Sequence, residues 1–101
     1  MLYLGVLCGV GVLKDGNQTI ARARYEFDGF LIKPGHVTGC GEICMAPEAL
    51  REVFGRKNLH LVTDDGHRLS VQFSEKRLLA ANGTAHVDVG GDLPSEDEWR
   101  H

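Results

Sequence analysis

The amino-acid sequence predicts an all-β, mainly antiparallel domain, a small closed or partly open barrel of six to seven strands with one short helix. Three observations predict it. Turn-forming residue pairs recur along the chain, apolar and polar residues alternate between them, and one segment alone repeats its apolar residues at helical spacing. Closure into a barrel removes exposed strand edges, and an open sheet backed by the helix is the alternative. The order of elements is also compatible with an OB-like barrel.

Length and composition limit the protein to one ordinary core. The chain has 101 residues, of which 43% are hydrophobic and 25% are charged, as in average soluble domains. We assign residues 1–91 to a single barrel-like domain and expect residues 92–101 to form an acidic, mobile tail, with Trp99 as the one residue suited to dock on the body. The formal charge of −3 does not suggest binding to nucleic acid by bulk electrostatics.

The first third of the chain predicts a three-stranded meander over residues 4–33. An Asp15-Gly16 pair suits one tight turn, and an Asp28-Gly29 pair suits a second. Closing both turns places the apolar side chains on one inner face. The inner face then pairs Val12 with Thr19, Val10 with Ala21, Cys8 with Ala23, Val6 with Tyr25, Phe27 with Phe30, and Tyr25 with Ile32.

Two further hairpins are predicted in the second half of the chain. A three-residue loop, Asp64-Asp65-Gly66, keeps the apolar residues of both flanking strands on one face, with Gly66 at positive φ. It pairs Leu61 with Leu69 and Leu59 with Val71. An Asn82-Gly83 pair is a type I′ turn signal. It pairs Ala80 with Ala85 and Leu78 with Val87 on the inside, and Arg77 with Asp88 on the outside.

One helix is predicted between these two halves, at about residues 47–54. Its apolar stripe consists of Ala46, Ala49, Leu50, Val53 and Phe54. Pro47 suits the first helical position, and Gly55 suits the end. The preceding segment, residues 37–45, has the composition of a strand with bends at its two glycines.

The residues that carry chemistry form no complete site. His36, Cys40 and Cys44 stand four apart, but on a strand such positions are about 13 Å apart, too far to share one metal ion. Cys40 lies between two glycines, which suits a nucleophile, yet no histidine adjoins it in sequence. We therefore expect no catalytic residues, no metal site and no cofactor.

The outer face of the predicted meander is the candidate contact surface, because it carries aliphatic side chains beside cations. It consists of Leu7, Ile20, Arg22, Arg24, Leu31 and Lys33, together with Glu26. Arg22 and Arg24 face outward in this register because Ala21, Ala23 and Tyr25 face inward.

Two functions compete for this surface. In the first, the protein is a non-catalytic protein-interaction or self-association module, such as a homodimer, with the aliphatic residues at the centre of the contact. In the alternative, it is a small barrel that binds nucleic acid or a nucleotide through its basic residues. Base stacking needs exposed aromatic side chains, and the aromatic residues of the predicted strands face inward. These are Tyr25, Phe27, Phe30 and Phe73. The sequence therefore favours the first function.

The cysteines and the amino-terminal segment predict the compartment. Three cysteines cannot all pair within one chain, which is typical of a reducing cytoplasm. Leu2 to Leu13 carry no charge, but this stretch is shorter than the roughly 20 residues that span a bilayer. It also lacks the basic start of a secretory signal. We expect a cytoplasmic protein with no membrane partner.

Overall fold

The part of the chain that the structure describes, residues 2–74, 83–91, 93–94 and 99, folds into a closed, barrel-like ring of antiparallel strands in the computed structural model. The predicted fold class is confirmed. The ring order is β1-β2-β3-β6-β5-β4. The elements are β1 (Leu2–Asp15), β2 (Gln18–Lys33), β3 (His36–Cys44), α1 (Pro47–Val53), β4 (Leu59–Thr63), β5 (Arg68–Phe73) and β6 (Thr84–Gly91).

The first hairpin closes later than predicted, and this reverses the two faces of β1. The loop is Gly16-Asn17, and a register shift follows it, so that Leu13 pairs with Ala21. Between Gly5 and Leu13 the offset from the predicted register is three residues, an odd number, which moves the side chains of this stretch of β1 to the opposite face. Leu13 is buried accordingly. The predicted inward positions of Val6, Cys8, Val10 and Val12 are therefore wrong.

The second predicted turn, at Asp28-Gly29, is also wrong, because β2 continues through it. The chain turns instead after β2, where Gly35 has a φ of 77°. Phe27 remains fully buried, whereas Phe30 packs against Tyr3 with a ring-centroid distance of 5.5 Å. The predicted pairs of Phe27 with Phe30 and of Tyr25 with Ile32 do not form. Residues 4–33 make a long two-stranded hairpin rather than a three-stranded meander.

The third predicted hairpin is confirmed in its register. Leu61 pairs with Leu69, and Leu59 pairs with Val71, with all four side chains buried. Gly66 has a φ of 99°, which a glycine in this loop adopts without strain. In this hairpin the alternation of apolar residues and the residues of the loop both predict the register that the structure has.

The fourth predicted hairpin lies partly outside the described residues, which do not include Arg77, Leu78, Ala80 or Asn82. Ala85 and Val87 are buried as expected. Within the described ring, Val87 pairs with Gly41 on one side and with Phe73 on the other. Asp88 likewise pairs with Cys40 and Gln72. The strand that pairs with β6 on this side is therefore β5.

The helix and the strand before it are confirmed. Pro47 occupies the first turn of α1, and Leu50 and Val53 are fully buried beneath it. β3 covers the segment with strand composition. In the described part of the chain, no helix has the length and apolar character needed to cross a membrane.

The core fills the inside of the ring and includes residues from every strand and from α1. Trp99 is buried as well, with 5% of its surface exposed, so its predicted docking is confirmed. Of the predicted mobile tail, Leu93, Pro94 and Trp99 are described, and the other residues after Gly91 lie outside the described part. The predicted mobility therefore remains an expectation.

Candidate interaction surface

The orientation of β2 matches the prediction. Ala23 and Tyr25 are buried in the core, and Arg22 and Arg24 are exposed on the outer face. Side chains alternate between the two faces of a strand, so the inward positions of Ala23 and Tyr25 place Arg22 and Arg24 on the outer face. The basic part of the predicted contact surface is therefore present on β2.

The aliphatic part of that surface lies elsewhere. Leu7 and Ile20 are half-buried and pack against the core. Leu7 faces inward because of the odd register offset, and the register shift in the same hairpin leaves Ile20 without a partner on β1. Leu31 follows Phe27 and Gly29 on the inner face, because β2 does not turn at Gly29. Lys33 is exposed at the end of β2.

The charges around the two arginines are mixed in sign. Arg22 forms an ion pair with Asp64 at 2.9 Å, and both side chains are more than half exposed. Glu26 pairs directly with Glu42 on the neighbouring strand, next to Arg24. A cleft of about 470 Å³ lies over this area. It is lined by Cys8, Gly9, Val10, Arg24, Tyr25, Glu26, Glu42, Cys44 and Thr84. Two carboxylates in this lining oppose the binding of a phosphate.

The Cys40 thiol is placed poorly for nucleophilic chemistry. All three cysteines are unpaired with one another. Burial raises the pKa of the Cys40 thiol, and the neighbouring carboxylates of Asp28 and Asp88 raise it further. A raised pKa keeps the thiol protonated at neutral pH, and the thiolate is the reactive form. The described residues contain no group of three or more side chains placed to hold a metal ion.

The hairpin and β3 continue beyond the closed ring as a three-stranded extension, which comprises residues 2–9, 26–33 and 36–38. β4 begins to pair with β1 only at Gly11, so the earlier residues of β1 project past it. The large hydrophobic residues with the greatest exposure in the described chain all lie in this extension. They are Leu2 at 60%, Tyr3 at 47% and Ile32 at 47%. Sequence reasoning missed Tyr3 because the predicted meander began after it.

One edge of the extension has no partner among the described strands. The backbone N–H of Asp64 donates to the carbonyl oxygen of Val10 at 3.0 Å, so Val10 directs its carbonyl towards β4. Because backbone groups alternate along a strand, Cys8 and Val6 direct their N–H and C=O groups to the same edge. No described strand pairs with them there. An unpaired edge of this kind is a template for another strand.

The open edge carries none of the usual protection against pairing. Residues 2–13 include no charged residue and no proline. Gly5 has a φ of 127° beside a register shift, which ends the regular edge at its far end. The regular open stretch therefore runs from about residue 5 to residue 9.

Comparison of the chain with protein-family models, with curated proteins and with solved structures finds no match in any of the three. A closed antiparallel ring by itself assigns no function, since such folds carry many unrelated ones. The feature that sets this chain apart is the uncharged open edge of β1 beside exposed apolar side chains.

Proposed function

We propose that the protein is a non-catalytic self-association module, in which β1 of one copy pairs with β1 of a second copy. The observation that carries the proposal is the open, uncharged edge at Val6 and Cys8. The exposed side chains of Leu2 and Ile32 lie in the same extension. We place the protein in the cytoplasm, where its unpaired thiols stay reduced.

The geometry of β1 favours an antiparallel pair centred on Leu7. In this arrangement Val6 of one copy lies opposite Cys8 of the other, and the two residues exchange N–H and C=O hydrogen bonds. A twofold axis repeats the exchange, which gives about four backbone hydrogen bonds in all. Identical segments without charge meet no like-charge repulsion across the axis.

The mixed charges of the outer face favour a protein partner over the nucleic-acid alternative. Arg22 is already paired with Asp64, and Glu26 and Glu42 lie beside Arg24. Phosphate binding through the remaining cations would weaken steeply as salt rises. Pairing through backbone hydrogen bonds and apolar contact depends far less on salt.

We expect Cys8→Pro to weaken the dimer about 30-fold, because each copy loses one edge hydrogen bond at about 1 kcal/mol. Proline is tolerated on an edge strand when its missing N–H faced solvent. Cys8→Ser is the matched control, since it changes the same side chain and keeps the N–H. Sedimentation velocity between about 10 µM and about 1 mM protein measures the dissociation constant of each variant.

The proposal requires that wild type and Cys8→Ser dimerise alike, while Cys8→Pro dimerises about 30-fold more weakly with an unchanged circular dichroism spectrum. A wild type that remains monomeric across this range contradicts it. So does a Cys8→Pro variant that dimerises as well as wild type. If instead a mixed-sequence oligonucleotide binds the monomer and is released by added salt, the nucleic-acid function replaces self-association.

A further inference from the structure

A row of three glycines crosses the inner face of the sheet where the extension meets the ring. Gly5 pairs with Gly29, and Gly29 pairs with Gly39, so the row spans β1, β2 and β3. All three residues are buried. Rows that carry side chains lie on both sides of the glycine row. These are Leu7 with Phe27 on the ring side, and Leu2 with Leu31 on the tip side. The glycines therefore form the floor of a slot.

The side chain of Trp99 occupies this slot. A Cβ atom at Gly29 would lie 2.6 Å from Cζ3 and 2.7 Å from Cε3 and Cη2 of the indole, so the six-membered ring rests on the backbone of Gly29. The indole Nε1–H donates to the carbonyl oxygen of Pro94 at 3.1 Å. The apolar ring is thereby buried, and the one polar atom of the side chain has a hydrogen-bond acceptor.

Position 29 requires a glycine because the indole leaves no room for a Cβ atom, and not because of its backbone conformation. Gly29 has no positive φ, so the backbone there suits any residue, and a glycine inside a strand lowers stability. At Gly39 an added Cβ would meet its nearest atom, the carbonyl oxygen of Asp28, only at 3.3 Å. Of these two glycines, Gly29 is the one that lies against the indole.

We propose that this slot is a recognition site for a single tryptophan side chain. The chain fills the site with its own Trp99, and a chain without Trp99 takes up an indole from solution. The ligand class is a tryptophan-bearing peptide, because the site meets the indole with a flat backbone floor and meets its N–H with a backbone carbonyl. This site goes beyond self-association, since the indole contacts the face of the extension and leaves the edge of β1 open.

Fluorescence reports on this site directly, because Trp99 is the single tryptophan of the chain. We expect wild type to emit at short wavelength with little quenching by acrylamide. Gly29→Ala displaces the ring, so its emission moves to longer wavelength and acrylamide quenching increases severalfold. Gly90→Ala is the matched control, since an added Cβ there meets no atom of the described residues within 4 Å, and its emission stays as in wild type.

The binding arm uses the full chain carrying Trp99→Ala, with N-acetyl-tryptophanamide as the fluorescent probe. We expect saturable binding with a dissociation constant on the order of 1 mM, and none to wild type or to the Trp99→Ala/Gly29→Ala double variant. Equal binding to the single and double variants overturns the proposal, as does no binding to a folded Trp99→Ala chain. If Trp99→Ala does not fold, the Gly29→Ala emission decides, and an unchanged emission overturns the site. Sedimentation of the wild type is unaffected by these outcomes, so this site and self-association fail separately.

Discussion

Gly41→Ala is expected to lower the free energy of unfolding by about 3 kcal/mol or more, which moves the melting temperature down by at least about 12 °C. A Cβ at this position would lie 2.1 Å from the carbonyl oxygen of Glu26 and 2.8 Å from the Cα of Phe27. Both atoms belong to the backbone of β2, so no side-chain rotation relieves the clash. β2 and β3 would have to separate at this point of the ring.

Gly90→Ala again serves as the control for this substitution. It places the same methyl group on β6, where the described part of the chain has no atom within 4 Å, so we expect a change within about 0.5 kcal/mol. Urea unfolding followed by circular dichroism measures both variants. Equal stability of the two would show that β2 and β3 are not packed at Gly41 as described.

Phe27→Ala is expected to cost about 3–5 kcal/mol, the range for removing a large aromatic side chain from a core. Phe27 is fully buried and stacks on Tyr25, with ring centroids 5.1 Å apart and planes inclined by 24°. Its removal leaves a cavity at the centre of β2, which the surrounding strands of a closed ring fill only in part.

Phe30→Ala gives the comparison that tests the register of β2. Phe30 is half-buried on the outer face beside Tyr3, so we expect its loss to cost about 1 kcal/mol. A turn at Asp28-Gly29 would place both phenylalanines in the core, and both substitutions would then be costly. Thermal unfolding of the two variants distinguishes the arrangements, and similar large losses would contradict a continuous β2.

Turn chemistry and apolar alternation agreed at each of the first three predicted hairpins, and only the one at Asp64–Gly66 has the predicted register. At Asp64–Gly66 the loop chemistry and the alternation on both strands admit one register, and the structure has it. At Asp28-Gly29 the same dipeptide signal fails, because a glycine in a strand also marks a close approach. The close approach is made by Trp99, which is distant in sequence, so no local pattern reveals it.

The interaction surface was harder to predict than the fold. Outward-facing Arg22 and Arg24 follow from alternation within β2 alone and are found as expected. The inward position of Leu7 depends on a loop closed at Gly16-Asn17 and on a register shift after it, neither of which alternation specifies. The open edge arises because β4 is shorter than β1 and starts to pair with it at Gly11. The point at which one strand of a ring stops pairing with its neighbour depends on the tertiary structure, so local sequence patterns do not predict it.

The most direct test of self-association through β1 is amide hydrogen exchange, measured residue by residue at two protein concentrations. Alternation directs the amides of Leu7 and Gly9 to β2, so we expect both to be protected at any concentration. The amides of Val6 and Cys8 face the open edge, and we expect them to exchange rapidly when the protein is dilute and slowly when it is concentrated. Rapid exchange of Val6 and Cys8 at both concentrations would contradict the pairing of β1 with a second copy.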